Sequence, residues 1–151
     1  MNLTELIQRE PSPETVALWL EKVPYAAYLG MRAEFNGDIL RFVLPPQDHL
    51  IGNFVLPAIH GGVVAAFMEQ SAAFHLVARM DKPVIPKTVN FSTDYLRAVR
   101  KCDTFADCTV SRQGRYIANV SVIAWQESPD TPNATGRAHT MVPNLEDDGE
   151  E

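Results

Sequence analysis

Residues 60–80, HGGVVAAFMEQSAAFHLVARM, form a nearly unbroken apolar run with one carboxylate, Glu69, in its middle. Val63, Val64, Ala66, Phe67, Ala72, Phe74, Leu76 and Val77 would cover most of the circumference of a helix over 60–80. A helix apolar on all sides is a buried helix, so the rest of the chain must close around it. Its length would be roughly 31 Å at 1.5 Å per residue. Glu69 and Arg79 interrupt the run and keep it from reading as a membrane span.

What flanks this segment is extended. Upstream, GMRAEFNGDILRFVL (30–44) holds two alternating runs around Asn36-Gly37, a dipeptide favoured in two-residue hairpin turns. Pro45-Pro46 stops the second run, and QDHLIGNFVLPAI (47–59) reads as a loop. Downstream, Val89, Phe91, Thr93 and Tyr95 fall on one side of a strand, with Thr88, Asn90, Ser92, Asp94 and Leu96 on the other. Two more alternating runs, 103–112 and 115–126, meet at Gln113-Gly114, and ATGRAHTMVP adds a last one. At the N-terminus, Ser12-Pro13 and the spacing of Val16, Leu20 and Val23 predict a short helix ended by Pro24. The order is helix, hairpin, apolar helix, then at least three strands in antiparallel succession. It predicts an α+β fold in which a curved antiparallel sheet wraps a long central helix. Residues 1–143 read as one domain with a short N-terminal helix, and 144–151 as an acidic disordered tail.

Composition limits the function. The chain has 151 residues, 46% hydrophobic and 21% charged, as in an ordinary globular domain. Five of the nineteen acids lie in the tail EDDGEE, so the body is nearly balanced against thirteen Lys and Arg. A basic face for nucleic acid is therefore not expected. Cys102 and Cys108 have no metal-ligand or CxxC spacing and read as free thiols. No secretory signal is visible, and a cytoplasmic location is the expectation. No metal or cofactor motif occurs, so neither is expected.

The chemistry centres on the apolar segment. Glu69 must reach an edge, find a partner or raise its pKa, and each of these makes it a candidate site residue. It could equally point through a gap in the sheet or pair with an arginine. Gly61-Gly62 could be simple loop-to-helix punctuation. They would also open the helix where N–H groups have no intrahelical acceptor, and a ligand oxygen could approach those donors closely. Gly61 and Glu69 lie roughly 12 Å apart along one straight helix and about 80° around it. They cannot both touch one carbonyl group. A site using both must combine two chains in at least a two-fold dimer with antiparallel central helices.

HGGVVAAFMEQSAA, with its carboxylate nine residues after the His, together with PKTVNFSTDYLRAV, RQGRYIANVSVIA and ATGRAHTMV, resembles the hotdog-fold acyl-CoA thioesterases of the phenylacetate-pathway and 4-hydroxybenzoyl-CoA type. The resemblance runs from about Gly30 to Val142. It implies a homodimer, or a dimer of dimers, that hydrolyses acyl-CoA to free acid and coenzyme A. In that family the Gly61 N–H would polarise the thioester carbonyl. Glu69 from the partner would act as nucleophile or as general base on water held by Thr88. Arg97, Arg100, Lys101 and Arg115 resemble groups that bind coenzyme A phosphates, a task suited to the bidentate guanidinium. Gly62 would share in substrate binding. The acyl group would lie near Phe67, Met68 and Phe74. His60 either contacts substrate or fixes the loop, and the second role is favoured. Asn53, seven residues before His60, stands one place from the family's orienting asparagine. Ala73 and Ala98 replace a hydroxyl and a proline common in relatives. A non-catalytic acyl-CoA sensor would keep the glycines and arginines but would not need Glu69.

Overall fold

In the computed structural model, which describes residues 1–143, helices α1 (Leu3–Ile7), α2 (Pro13–Lys22) and α3 (Pro24–Leu29) precede the sheet. Ser12 caps α2 through Thr15 N–H, with Pro13 in the first turn where its missing N–H costs nothing. Pro24 ends α2 as expected and also starts α3. Helices α1 and α3 were not anticipated, since five or six residues are too short to show a period. Trp19 is fully buried and donates its indole N–H to Leu6 O, tying α2 to α1.

Strands β1 (Arg32–Asn36) and β2 (Ile39–Leu44) form the expected hairpin. Its two loop residues are Gly37-Asp38 rather than Asn36-Gly37, because Asn36 pairs with Ile39. Gly37 at φ 60° supplies the left-handed first position that such a turn requires. The stretch read as a loop contains a 3-10 turn, Asp48–Leu50, and a two-stranded ribbon of β3 (Ile51–Asn53) and β4 (Ala58–Ile59).

Helix α4 (Gly61–Val77) is three residues shorter at its C-terminus than predicted, with Ala78 at the cap. Four strands follow: β5 (Lys87–Tyr95), β6 (Thr104–Gln113), β7 (Ile117–Trp125) and β8 (Ala134–Met141). With the hairpin they build one antiparallel six-stranded sheet in the order β1-β2-β6-β7-β8-β5. The sheet wraps α4 in the hotdog arrangement. Val64, Phe67, Met68, Ala72, Phe74, Leu76 and Val77 are buried with Phe42, Ala106, Val120, Val122 and Ala138 from the strands. At about 1.5–3 kcal/mol per large side chain, this interface is the main source of stability. In one chain α4 is not covered all round, since Ala65, Ala66, Glu69, Gln70 and Ala73 remain half-buried. No helix among the described residues is long and apolar enough to cross a membrane. The segment read as an acidic tail, 144–151, lies outside the described residues.

The faces of β5 differ from the simple alternation. A bulge between Thr88 and Asn90 inserts one residue against β8. Thr88 pairs with buried Thr140 and so shares the helix-facing side with half-buried Phe91 and Thr93, while Val89 is turned out to 59% exposure. Thr88 had been expected on the opposite side from Phe91.

Candidate functional site

The start of α4 is held by backbone on both sides. His60 N–H bonds Leu50 O and Ile59 N–H bonds Val99 O, so residues 58–60 are clamped between the 3-10 turn and the segment after β5. Gly52 lets this happen, because a Cβ there would lie 2.7 Å from His60 Cα. His60 is the N-cap: its Nδ1 accepts the Gly62 N–H at 2.9 Å, and its carbonyl accepts from Val63 and Val64. Of the first N–H groups, that of Gly61 is left without an acceptor among the described residues. It lies at the positive end of the helix dipole. The Gly62 N–H is thus taken up by the His60 ring, which caps the helix.

Tyr95, the last residue of β5, donates its hydroxyl to Gly61 O at 2.7 Å. Its ring would just touch a Cβ on Gly61. This contact fixes the first residue of α4 against the sheet, and sequence reasoning had placed Tyr95 only on a strand face. A cavity of about 310 Å³ opens beside Gly61, lined by Ile59, Val64, Tyr95, Leu96 and Arg97. A second, polar cavity of about 220 Å³ shares Arg97 and Ala98 with it and adds Arg100, Gln126, Glu127 and Asn133. Exposed Arg97 lines both cavities, and exposed Arg100 lines the second. Asn133 and Gln126 shape it. Asn133 O accepts from Leu96 and Arg97 N–H and its amide donates to Ala98 O, while Gln126 exchanges bonds with the Arg100 backbone. Nothing in the pattern around Asn133 or Gln126 signalled this.

Other predicted residues are dispersed. Lys101 is paired with Asp48, whose carboxyl it holds below the ordinary range by hydrogen bond and charge. Arg115 sits at the β6–β7 turn over the Tyr116 ring, roughly 30 Å along β7 from Gln126, so within one chain it does not join Arg97 and Arg100. Phe67 and Met68 have no exposed surface and belong to the core, and Phe74 packs near Phe42. In one chain none of them lines the Gly61 cavity. Asn53 uses its side-chain oxygen to accept Val55 and Leu56 N–H, shaping the loop before β4. Glu69 is half-buried on the uncovered side of α4 and makes no hydrogen bond or ion pair among the described residues. Eight residues separate it from Gly61 on an uninterrupted helix, so the two remain roughly 12 Å apart in one chain. Thr88 lies about 23 Å along β5 from Tyr95, also remote from its own Gly61.

Residues 56–133 match the model of the thioesterase superfamily. No curated protein matches the chain significantly. Among solved structures, a protein from Chromobacterium violaceum is 35% identical, with 95% of this chain and 97% of that one covered and a TM-score of 0.73. A thioesterase from Haemophilus influenzae is 19% identical over 91% of this chain and 94% of its own, with a TM-score of 0.77. A phenylacetic acid degradation-related protein from Ralstonia eutropha is 20% identical over 94% of this chain and 100% of its own, with a TM-score of 0.70. The last two likenesses concern the fold.

Proposed function

The chain belongs to the thioesterase superfamily, and we propose that it hydrolyses acyl-CoA thioesters at a site shared by two copies of the chain. Membership supports hydrolysis of a thioester. The reading of coenzyme A is supported by Arg97, which lines both the cavity beside Gly61 and the one that holds Arg100.

One observation carries the mechanism: with Gly62 N–H capped by His60, the Gly61 N–H has no acceptor among the described residues at the head of α4. Placed against a thioester oxygen, it stabilises the charge that develops as the carbonyl becomes tetrahedral. Glu69 of the second copy takes a proton from water held by Thr88, and the resulting hydroxide attacks the carbonyl carbon. The tetrahedral oxyanion collapses, the C–S bond breaks, and the thiolate leaves with the electron pair, to be protonated by Glu69 or by solvent. Direct attack by the Glu69 carboxylate, giving an anhydride that water then opens, uses the same geometry. The acyl group would rest on Ala65, Ala66 and Ala73, whose small side chains leave room on the uncovered side of α4.

The second copy enters through β5. This nine-residue strand pairs with β8 on one side only, and Val89, Tyr95 and Leu96 are exposed beside its open edge. Pairing two such edges about a two-fold axis would set the central helices side by side and antiparallel, each Gly61 toward the other copy's Glu69.

The test is thiol release from short, long and aryl acyl-CoAs, comparing wild type with Glu69→Gln. Turnover that falls at least about 100-fold in the variant is expected. Acyl-CoA binding without turnover on any substrate would turn the reading toward a sensor.

A further inference from the structure

The pairing of β2 with β6 stops at Arg41↔Asp107, although β2 begins at Ile39 and β6 continues to Gln113. Ile39 and Leu40, next to the hairpin turn, have no ladder partner on β6, and a cavity of about 430 Å³ opens beside them. Arg79 Nη2 donates to Asp38 O at 3.0 Å and ties the hairpin tip to the end of α4. Ile39, Leu40, Cys108 and Val110 supply an apolar wall, and burial pushes the Cys108 thiol up so that it stays protonated.

His75 lines this cavity. It is only 6% exposed, and its Nδ1 is buried with no hydrogen-bond partner among the described residues. Burial keeps the ring neutral, so it carries one N–H donor and one acceptor. Nδ1 is closed off, so the ring nitrogen within reach of a molecule in the cavity is Nε2, which makes no hydrogen bond among the described residues. Arg79 stands four residues on, one helical turn away on the same face. It commits one of its five N–H groups to Asp38. The one carboxylate among the lining residues, that of Asp107, is already held by Arg41 at 2.6 and 3.0 Å and by Trp125 Nε1.

We propose that this cavity binds a small amphipathic monocarboxylate, its carboxylate bridging the His75 ring N–H and the Arg79 guanidinium and its hydrocarbon body against Leu40, Cys108 and Val110. The cavity volume is within the range of small-ligand sites. It lies roughly 21 Å along α4 from Gly61 and is a second site, whatever the fate of the reading above.

The experiment titrates full-length protein carrying 15N-labelled histidine with octanoate, 3-phenylpropanoate and, as an uncharged control, octanamide. A saturable shift of the His75 ring resonances is expected with either acid at a Kd of about 1 mM or tighter. It should weaken at least about tenfold in Arg79→Gln, an exposed substitution, and for octanamide, and should persist in Arg97→Gln. No saturable shift would leave His75 to water and overturn the proposal. A shift of equal affinity in Arg79→Gln or with octanamide would overturn the carboxylate assignment.

Discussion

At Gly61 the decisive group is an N–H that nothing among the described residues accepts. His60 removes the competing donor by capping Gly62, and Tyr95 holds the residue by its carbonyl. Tyr95→Phe should therefore lower kcat by about 2–10-fold, the worth of one hydrogen bond, with KM nearly unchanged. A change in KM alone would deny Tyr95 this positioning role. Glu69 stood out in the sequence as a candidate because a carboxylate in an apolar helix needs an explanation. The His60 cap and the Tyr95 bond were not, because each depends on a loop or strand end brought close by the fold. His75 gives a pH prediction. Burial, and then the charge of Arg79, lower its pKa from 6.5 to about 4. The unfolded chain thus binds a proton that the folded chain refuses between those values. The stability from neutral His75 is complete above pH 6.5 and is lost as pH falls toward 4, by about 2 kcal/mol between pH 7 and 5. Urea midpoints should fall over that interval, and His75→Leu should flatten the slope.

At the scale of elements, the long ones were readable and their details were not. Alternation in 103–112 and 115–126 and the nearly unbroken apolar run of 60–80 located the strands and helix, since each signal extends over many residues. The bulge in β5 leaves no mark in an alternating sequence, yet it moves Thr88 to the helix side. The ribbon of β3 and β4 was missed because two or three residues show no period. That ribbon sets the site, and Gly52 is its tightest point. Gly52→Ala would force a Cβ to within 2.7 Å of His60 Cα. It should cost about 1–3 kcal/mol, seen as a lower melting temperature, and reduce thiol release by shifting the start of α4. An unchanged melt with full activity would mean that the clamp is loose.

For the whole molecule, the separation of Gly61 from Glu69 decides what the chain can do alone. Each chain carries both groups, roughly 12 Å apart on one straight helix, together with an open sheet edge. Under the proposed mechanism a monomer would be inactive, and activity would require pairing. The measurement that tests this most directly is complementation. Gly61→Pro removes the N–H at a helical position where proline fits, and His60 at φ -57° and ψ 131° already has the backbone that precedes proline. Glu69→Gln removes the other half. Each variant alone should be inactive. Co-expressed, half of the dimers would be mixed with one intact site in two, giving about a quarter of wild-type thiol release. Mixed dimers that form and stay inactive would contradict the shared site.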